Sequence, residues 1–145
     1  MNLFRIIQGA ALAAVLVCAS VSDIRRHEVD NWVWTVIVLL GLIGIHTGNA
    51  AHPLSMLFGA AAILSILVPL TILQGDKGIG GADIKISAAA GFLLGGLNGL
   101  YALSIGLLLA VLAVPIVRRI SGKAQDTPFP LVPFLSAGIM TAFLF

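Results

Sequence analysis

Two aspartates lie at the edges of apolar segments in this chain. Asp23 follows an apolar run that begins near residue 3, and Asp83 directly precedes another run that begins at Ile84. A carboxylate at the edge of a membrane segment is costly unless it is solvated, paired or used. Two carboxyls that share one proton can act as base and acid on a water molecule, which is the chemistry of an aspartic hydrolase. This chemistry requires a fold that brings Asp23 and Asp83 to one place.

The composition indicates a membrane protein. The chain has 145 residues, of which 59% are hydrophobic and 10% charged, and its mean hydropathy is +1.10. Soluble domains carry about a quarter charged residues. The net charge of +2 is small and spread over loops, so the lipid bilayer is the expected partner and nucleic acid is not.

Six apolar segments predict six membrane-spanning helices, since one span needs roughly 17–25 mostly apolar residues. The Asn98-Gly99 pair is a turn signal, and it divides the longest apolar run in two. The chain is therefore predicted to be all-α, with one membrane-embedded domain over residues 1–145. The predicted spans cover about residues 3–21, 32–47, 54–73, 84–96, 99–117 and 129–145.

The distribution of charge predicts the orientation of these spans. With six crossings, all acidic residues and all basic residues except Arg5 fall on one side. Because Lys and Arg concentrate on the cytoplasmic side, both termini are predicted to face outward. A cleavable signal peptide ending near Cys18-Ala19-Ser20 is an alternative interpretation of the N-terminus. Arg25 and Arg26 argue against it, since they favour retention in the cytoplasm.

Two motifs surround the aspartates. Residues 22–32 read Ser-Asp-Ile-Arg-Arg-His-Glu-Val-Asp-Asn-Trp, and residues 75–85 read Gly-Asp-Lys-Gly-Ile-Gly-Gly-Ala-Asp-Ile-Lys. Together with the Pro-rich start of the last span at residues 128–134, they resemble the type IV prepilin peptidases, a family of membrane aspartic proteases. The short chain and the lack of N-terminal cysteine pairs resemble the compact subgroup associated with Flp or tight-adherence pili.

The resemblance implies an endopeptidase of the bacterial inner membrane that removes the leader of prepilins at the cytoplasmic face. It implies that water is the nucleophile and that Asp23 and Asp83 are the catalytic residues. It implies no metal and no organic cofactor. The residues that it places against the substrate, mainly through the motif backbone, are Gly80, Gly81, Ala82 and Lys85.

Two positions depart from the pattern of the family. Ala82 stands where a second glycine is usual, so the backbone there must be one that tolerates a Cβ atom. Asp30 replaces the proline that usually precedes Asn31. We expect Asp30 to start the second span as a helix cap, since aspartate is favoured in that role.

Helix dipoles predict which aspartate is charged. Asp83 lies at the N-terminal end of the fourth helix, where negative charge is favoured, and Asp23 lies at the C-terminal end of the first, where it is not. This comparison assigns Asp83 as the base and Asp23 as the acid. His27 is a further candidate polar group beside the pair.

Simpler interpretations exist for the same residues. Asp83 could be an ordinary N-cap, Asp23 a solvated residue at the end of a span, and Lys85 a side chain that reaches the interface. For the whole chain the alternative is a non-enzymatic scaffold or channel of a pilus or secretion system. A channel would line several spans with polar residues, whereas these span interiors are apolar. Among proteases, a presenilin-like enzyme acting on general membrane stubs is the runner-up.

Overall fold

The computed structural model describes residues 3–48, 50–74, 80–121 and 129–145, and these ranges form six helices. The prediction of an all-α fold is confirmed. The helices are α1 (Leu3–Arg26), α2 (Trp32–His46), α3 (Pro53–Gln74), α4 (Gly81–Leu94), α5 (Gly96–Ser121) and α6 (Val132–Leu144).

The six helices fall into a long group and a short group. In α1, α3 and α5, the segments Leu3–Arg26, Pro53–Leu73 and Gly96–Val117 are long and apolar enough to cross a membrane. In contrast, α2, α4 and α6 have 15, 14 and 13 residues. A 14-residue helix is about 21 Å long, whereas the hydrocarbon core of a bilayer is about 30 Å thick. The protein is therefore a helical membrane protein whose long and short helices alternate along the chain.

One end of the bundle collects the C-terminal turn of α1 and the first residues of α2, α4 and α6. The backbone N–H of Val132 in α6 donates to the carboxylate of Asp23 in α1 at 3.0 Å. The Lys85 ammonium in α4 donates to the side-chain oxygen of Asn31, before α2, also at 3.0 Å. We call this end the aspartate end.

The opposite end is held by two further contacts. The guanidinium of Arg5 donates to the carbonyl oxygen of Phe143 at 3.0 Å and lies over its ring. The N–H of Gly96 donates to Ser55 Oγ at 3.1 Å. Consecutive helices therefore run in opposite directions.

Helix α4 lies at the centre of the bundle, packed against α2, α3, α5 and α6. One hydrophobic cluster joins residues of α1, α2, α4, α5 and α6, and a second joins α3, α5 and α6. Aspartate-bearing α4 thus has protein on most of its circumference. The second cluster consists of Ile63, Leu67, Leu103 and Leu135.

The break between α4 and α5 lies at Gly95, so the prediction of a turn at Asn98-Gly99 is wrong in position. Gly95 has φ +83°, and a Cβ atom there would lie 2.7 Å from the Cβ of Ala51. Both features select glycine. Asn98 and Gly99 belong to α5, where a Cβ on Gly99 would lie 2.7 Å from the Cα of Gly91. Gly99 therefore serves close helix packing rather than a turn.

The starts of two helices also differ from the predictions. The N-cap of α2 is Asn31, which makes no capping hydrogen bond through its side chain, and Asp30 contributes only its carbonyl oxygen, to the N–H of Val33. The prediction that Asp30 is the N-cap is therefore wrong. Helix α6 begins at Val132, three residues after the predicted start at residue 129.

Candidate active site

Asp23 lies one turn before the end of α1 and is buried. Its Oδ2 atom accepts the N–H of Val132, which is the first residue of α6 and would otherwise be an unsatisfied donor. The N-cap of α6, Leu131, supplies no side-chain cap, and Pro133, which follows Val132, has no N–H. Asp23 thus caps α6 from another helix, and the positive end of the α6 dipole favours its charged form.

The two aspartates stand over the same core. Along α1, Asp23 continues a buried stripe with Ala19 and Leu16, and along α4 the residues one and two turns after Asp83 are Ile86 and Ala90. Helical residues spaced by three, four or seven share a face. All four apolar residues belong to one cluster. The structure therefore brings Asp23 and Asp83 to one end of one core.

Asp83 is the third residue of α4, whose N-cap is Gly80. The backbone N–H of Gly80 lies against the Asp83 carboxylate and stabilises its charged form. This is the contact that a third-position carboxylate makes in a capping box. Asp83 therefore contributes to the helix start from the third position, not as the N-cap. A Cβ atom on Gly80 would lie 3.1 Å from Asp83 Oδ2, so glycine leaves the carboxylate free space.

The two carboxyl groups also interact electrostatically. Burial, and then the nearby charge of Asp23, raise the pKa of Asp83 to about 7, and the N–H of Gly80 opposes this rise. Asp83 lies just before the predicted fourth span. Burial and the charge of Asp23 thus favour the protonated form of Asp83 more than in a solvated carboxyl group.

The Val132 N–H and the α6 dipole stabilise a charge on Asp23, a contribution that opposes the dipole-based assignment of Asp23 as the acid. That prediction considered only the helix that carries each aspartate. It left out α6, whose N-terminus points at Asp23 and donates the Val132 N–H.

His27 and two serines complete the surroundings of Asp23. His27 has φ +53°, a conformation in which histidine is among the more frequent non-glycine residues, and its imidazole interacts with the Asp23 carboxylate. One turn below, Ser20 Oγ lies 3.1 Å from Ser136 Oγ and donates to the Leu16 carbonyl at 2.7 Å. These contacts fix α1 against α6. Apart from the Pro-rich start of the last helix, no sequence pattern points to the Val132 amide or to the serine pair.

The other motif residues lie around the start of α4. Ala82 is helical, so its Cβ atom is tolerated as the departure from the family pattern required. Gly81 is exposed, and a Cβ atom there would meet no atom of the described residues within 4 Å. Lys85 is two residues from Asp83, which places it about 200° around the helix, on the side away from that carboxylate. Residues 75–79 of the glycine-rich motif lie outside the described residues.

Comparison with known proteins gives two matches and one negative result. The sequence model of the Type IV leader peptidase family matches residues 10–117, a range that contains both aspartates. The preflagellin peptidase of Methanococcus voltae is 32% identical over 84 residues, which are 54% of this chain and 34% of that protein. The chain thus spans about a third of the length of this curated relative. No solved structure matches the chain.

Proposed function

Because the chain belongs to the type IV leader peptidase family, we propose that it is an aspartic endopeptidase that removes the leader from pilin-like precursors. The observation that carries the proposal is the placement of Asp23 and Asp83 at one end of one core, where burial and the charge of Asp23 raise the pKa of Asp83 to about 7. A solvated carboxylate would keep a pKa near 4. Coupling of this kind is what an acid–base pair needs.

In the proposed mechanism, water is held between the two carboxyl groups. Asp23, charged and oriented by the Val132 N–H, takes a proton from the water. At the same time the water oxygen attacks the scissile carbonyl carbon. Asp83 gives its proton to the carbonyl oxygen, and a tetrahedral diol forms. Asp83 then takes a proton back from one hydroxyl, Asp23 gives its proton to the leaving nitrogen, and the carbon–nitrogen bond breaks. The pair returns to its starting protonation.

We also propose that the chain crosses the membrane six times, the fourth crossing beginning just after Asp83, with both termini outside and the aspartate end at the cytoplasmic face. The unequal reach of α5 and α6 supports a recess at this end. From the contact between Gly106 and Leu135, α5 continues as far as Ser121, with Pro115 inside it, whereas α6 begins only about 5 Å beyond Leu135. Water in such a recess would shorten the hydrocarbon that α2, α4 and α6 must cross. The basic residues Arg25 and Arg26 fit the cytoplasmic side.

The proposed substrate has a polar leader followed by an apolar helix, so its scissile bond reaches the membrane at the cytoplasmic interface. The motif resemblance extends the proposal to Flp-like precursors in a bacterial inner membrane. It also extends the proposal to substrate contacts by the residues at the start of α4, namely Gly80, Gly81, Ala82 and Lys85.

Coexpression with a Flp-type precursor, in a host without such a peptidase, tests the proposed function. We expect the precursor to lose its leader only when this chain is present, and mass spectrometry of the precursor's N-terminus would show it. A precursor that keeps its leader while both proteins are in the membrane would support the scaffold alternative instead.

The rate of cleavage is expected to fall as pH rises through about 7. Asp83 must hold a proton to act as the acid, and its pKa of about 7 means that it loses this proton above neutrality. Beyond that point the rate should fall about tenfold per pH unit, because the protonated fraction does. The measurement is kcat/KM of the purified protein between pH 5 and 9. A rate that is constant up to pH 9 would contradict the assignment of Asp83.

A further inference from the structure

An apolar groove runs along the side of α4 that none of the other five described helices covers. Its walls are Trp34 and Val38 of α2 on one side and Ala60 and Leu64 of α3 on the other, and its volume is about 370 Å³. This volume lies in the range of ligand sites. The groove is distinct from the aspartate pair, since its floor lies on the opposite side of α4 from Asp83.

The groove lies towards the aspartate end of α2 and α4. Beyond it, on the side of the opposite end, α2 approaches α3 and α4, because a Cβ atom on Gly41 would lie 3.1 Å from Phe92 Cδ1 and 3.2 Å from Met56 Cε. Trp34 and Lys85 line the groove near the starts of α2 and α4, which belong to the aspartate end. The groove therefore reaches the end of the bundle that carries the aspartates.

The lining suits a helix rather than a polar peptide. The floor carries Ala88 and Ala89, and small residues allow another helix to approach closely within a membrane. The Lys85 ammonium, held by Asn31, is the one charged group among the described lining residues, and it stands at the mouth. Its charge disfavours the basic leader expected of a prepilin, whereas an uncharged apolar helix meets no such penalty.

Within the described residues, the start of α4 separates the groove from the aspartates. Gly81 lies one turn before Lys85 on the groove side, since four residues return to the same face, and no described side chain or backbone atom lies within 4 Å of a Cβ atom built there. Gly80 lies next along the path, against the Asp83 carboxylate. The helix is roughly 10 Å wide, so about three extended residues at ~3.3 Å each would cross it.

We propose that this groove binds the apolar helix of the precursor, and that an extended segment of about three residues crosses Gly80 and Gly81 to present the scissile bond to Asp23 and Asp83. This inference rests on the proposed function and adds to it the place and direction of substrate binding. The scissile bond is then separated by this segment from the first helical residue in the groove. A lipid acyl chain is the competing occupant.

Filling the groove tests this proposal. Ala60→Leu adds a side chain to the groove wall, and Ala61→Leu makes the same change at the next residue, which is exposed. Two substrates are compared in liposomes, the full precursor and a peptide that spans the scissile bond but lacks the apolar helix. We expect Ala60→Leu to lower kcat/KM for the precursor at least tenfold and Ala61→Leu less than twofold. The peptide should be cut slowly and equally by the wild type and both variants.

Equal precursor rates for Ala60→Leu and Ala61→Leu would overturn the proposal. So would a matching loss on the short peptide, because the substitution would then act on the aspartates and not on binding of the helix.

Photo-crosslinking tests whether the precursor occupies the groove without requiring cleavage. p-Benzoyl-phenylalanine is placed at Val38 in the groove, or at the exposed neighbour Leu39 as the control, in an Asp83→Asn background. We expect adducts to the apolar helix of the precursor from position 38 and not from position 39. Adducts to lipid alone would overturn the groove assignment and leave the proposed function intact. Precursor adducts from a protein whose wild type cuts no precursor would uphold the groove and reject the proposed function.

Discussion

Replacing either aspartate with asparagine is expected to lower the leader-cleavage rate about 1,000-fold or more, since each removes one partner of an acid–base pair. Asp83→Asn removes the acid of the proposed pair, the group whose pKa burial and the charge of Asp23 raise to about 7. Asp23→Asn removes the base. The measurement is the rate of leader loss by purified protein, followed by mass spectrometry.

Both variants should remain folded. Asparagine keeps a side-chain oxygen that can accept the N–H of Val132 at position 23 and of Gly80 at position 83. The matched control is Asp30→Asn, which makes the same change at an exposed carboxyl in the loop after α1 and should change the rate less than twofold. Activity above a tenth of the wild-type rate in either aspartate variant would reject the acid–base pair.

Adding a single methyl group to α6 by Gly138→Ala is expected to have the second-largest effect. The new Cβ atom would collide with the carbonyl oxygen of Ala102 and lie 2.7 Å from the nitrogen of Gly106. Both atoms are backbone, so no side-chain rotation can relieve the overlap and α5 and α6 must separate. Such overpacking costs about 1–3 kcal/mol. This exceeds the gain of up to about 1 kcal/mol in helix propensity from glycine to alanine.

The same displacement should also reach the active site. Helix α6 carries the Val132 N–H that orients Asp23, and a misplacement of about 1 Å can cost roughly 100-fold in rate. We expect Gly138→Ala to lower both the melting temperature in detergent and the cleavage rate. Ala137→Leu adds a larger side chain on the exposed face of the same helix and should change neither. Wild-type values for Gly138→Ala would show that α6 does not need close contact with α5.

Much of the arrangement of this site follows from the sequence. An apolar composition and breaks between apolar runs predict an all-α membrane protein. Two whole helices separate Asp23 from Asp83, so an antiparallel bundle places both aspartates at the same end. The structure confirms the antiparallel bundle. Ala82 predicted a backbone conformation that tolerates a Cβ atom, and the helical conformation of this residue meets that requirement.

The details that escaped prediction depend on groups that residue types do not reveal. The Val132 donor is a backbone N–H, which every residue but proline carries, so its pairing with Asp23 has no sequence signature. Gly95 and Gly99 look equivalent in sequence, yet one provides a positive φ and the other close packing against Gly91. The groove beside α4 lies between α2 and α3, and no single segment encodes it.

Proximity of the two carboxyl positions is the central claim, and thiol cross-linking measures it most directly. Asp23 and Asp83 are both replaced by cysteine, and the natural Cys18, which is exposed, by serine. A short bifunctional thiol reagent is added to the protein in membranes, and the adduct is identified by intact mass. The account predicts one reagent bridging both cysteines within a single chain, at low protein concentration and with no effect of dilution. Two independently labelled cysteines, each carrying its own reagent molecule, would contradict it.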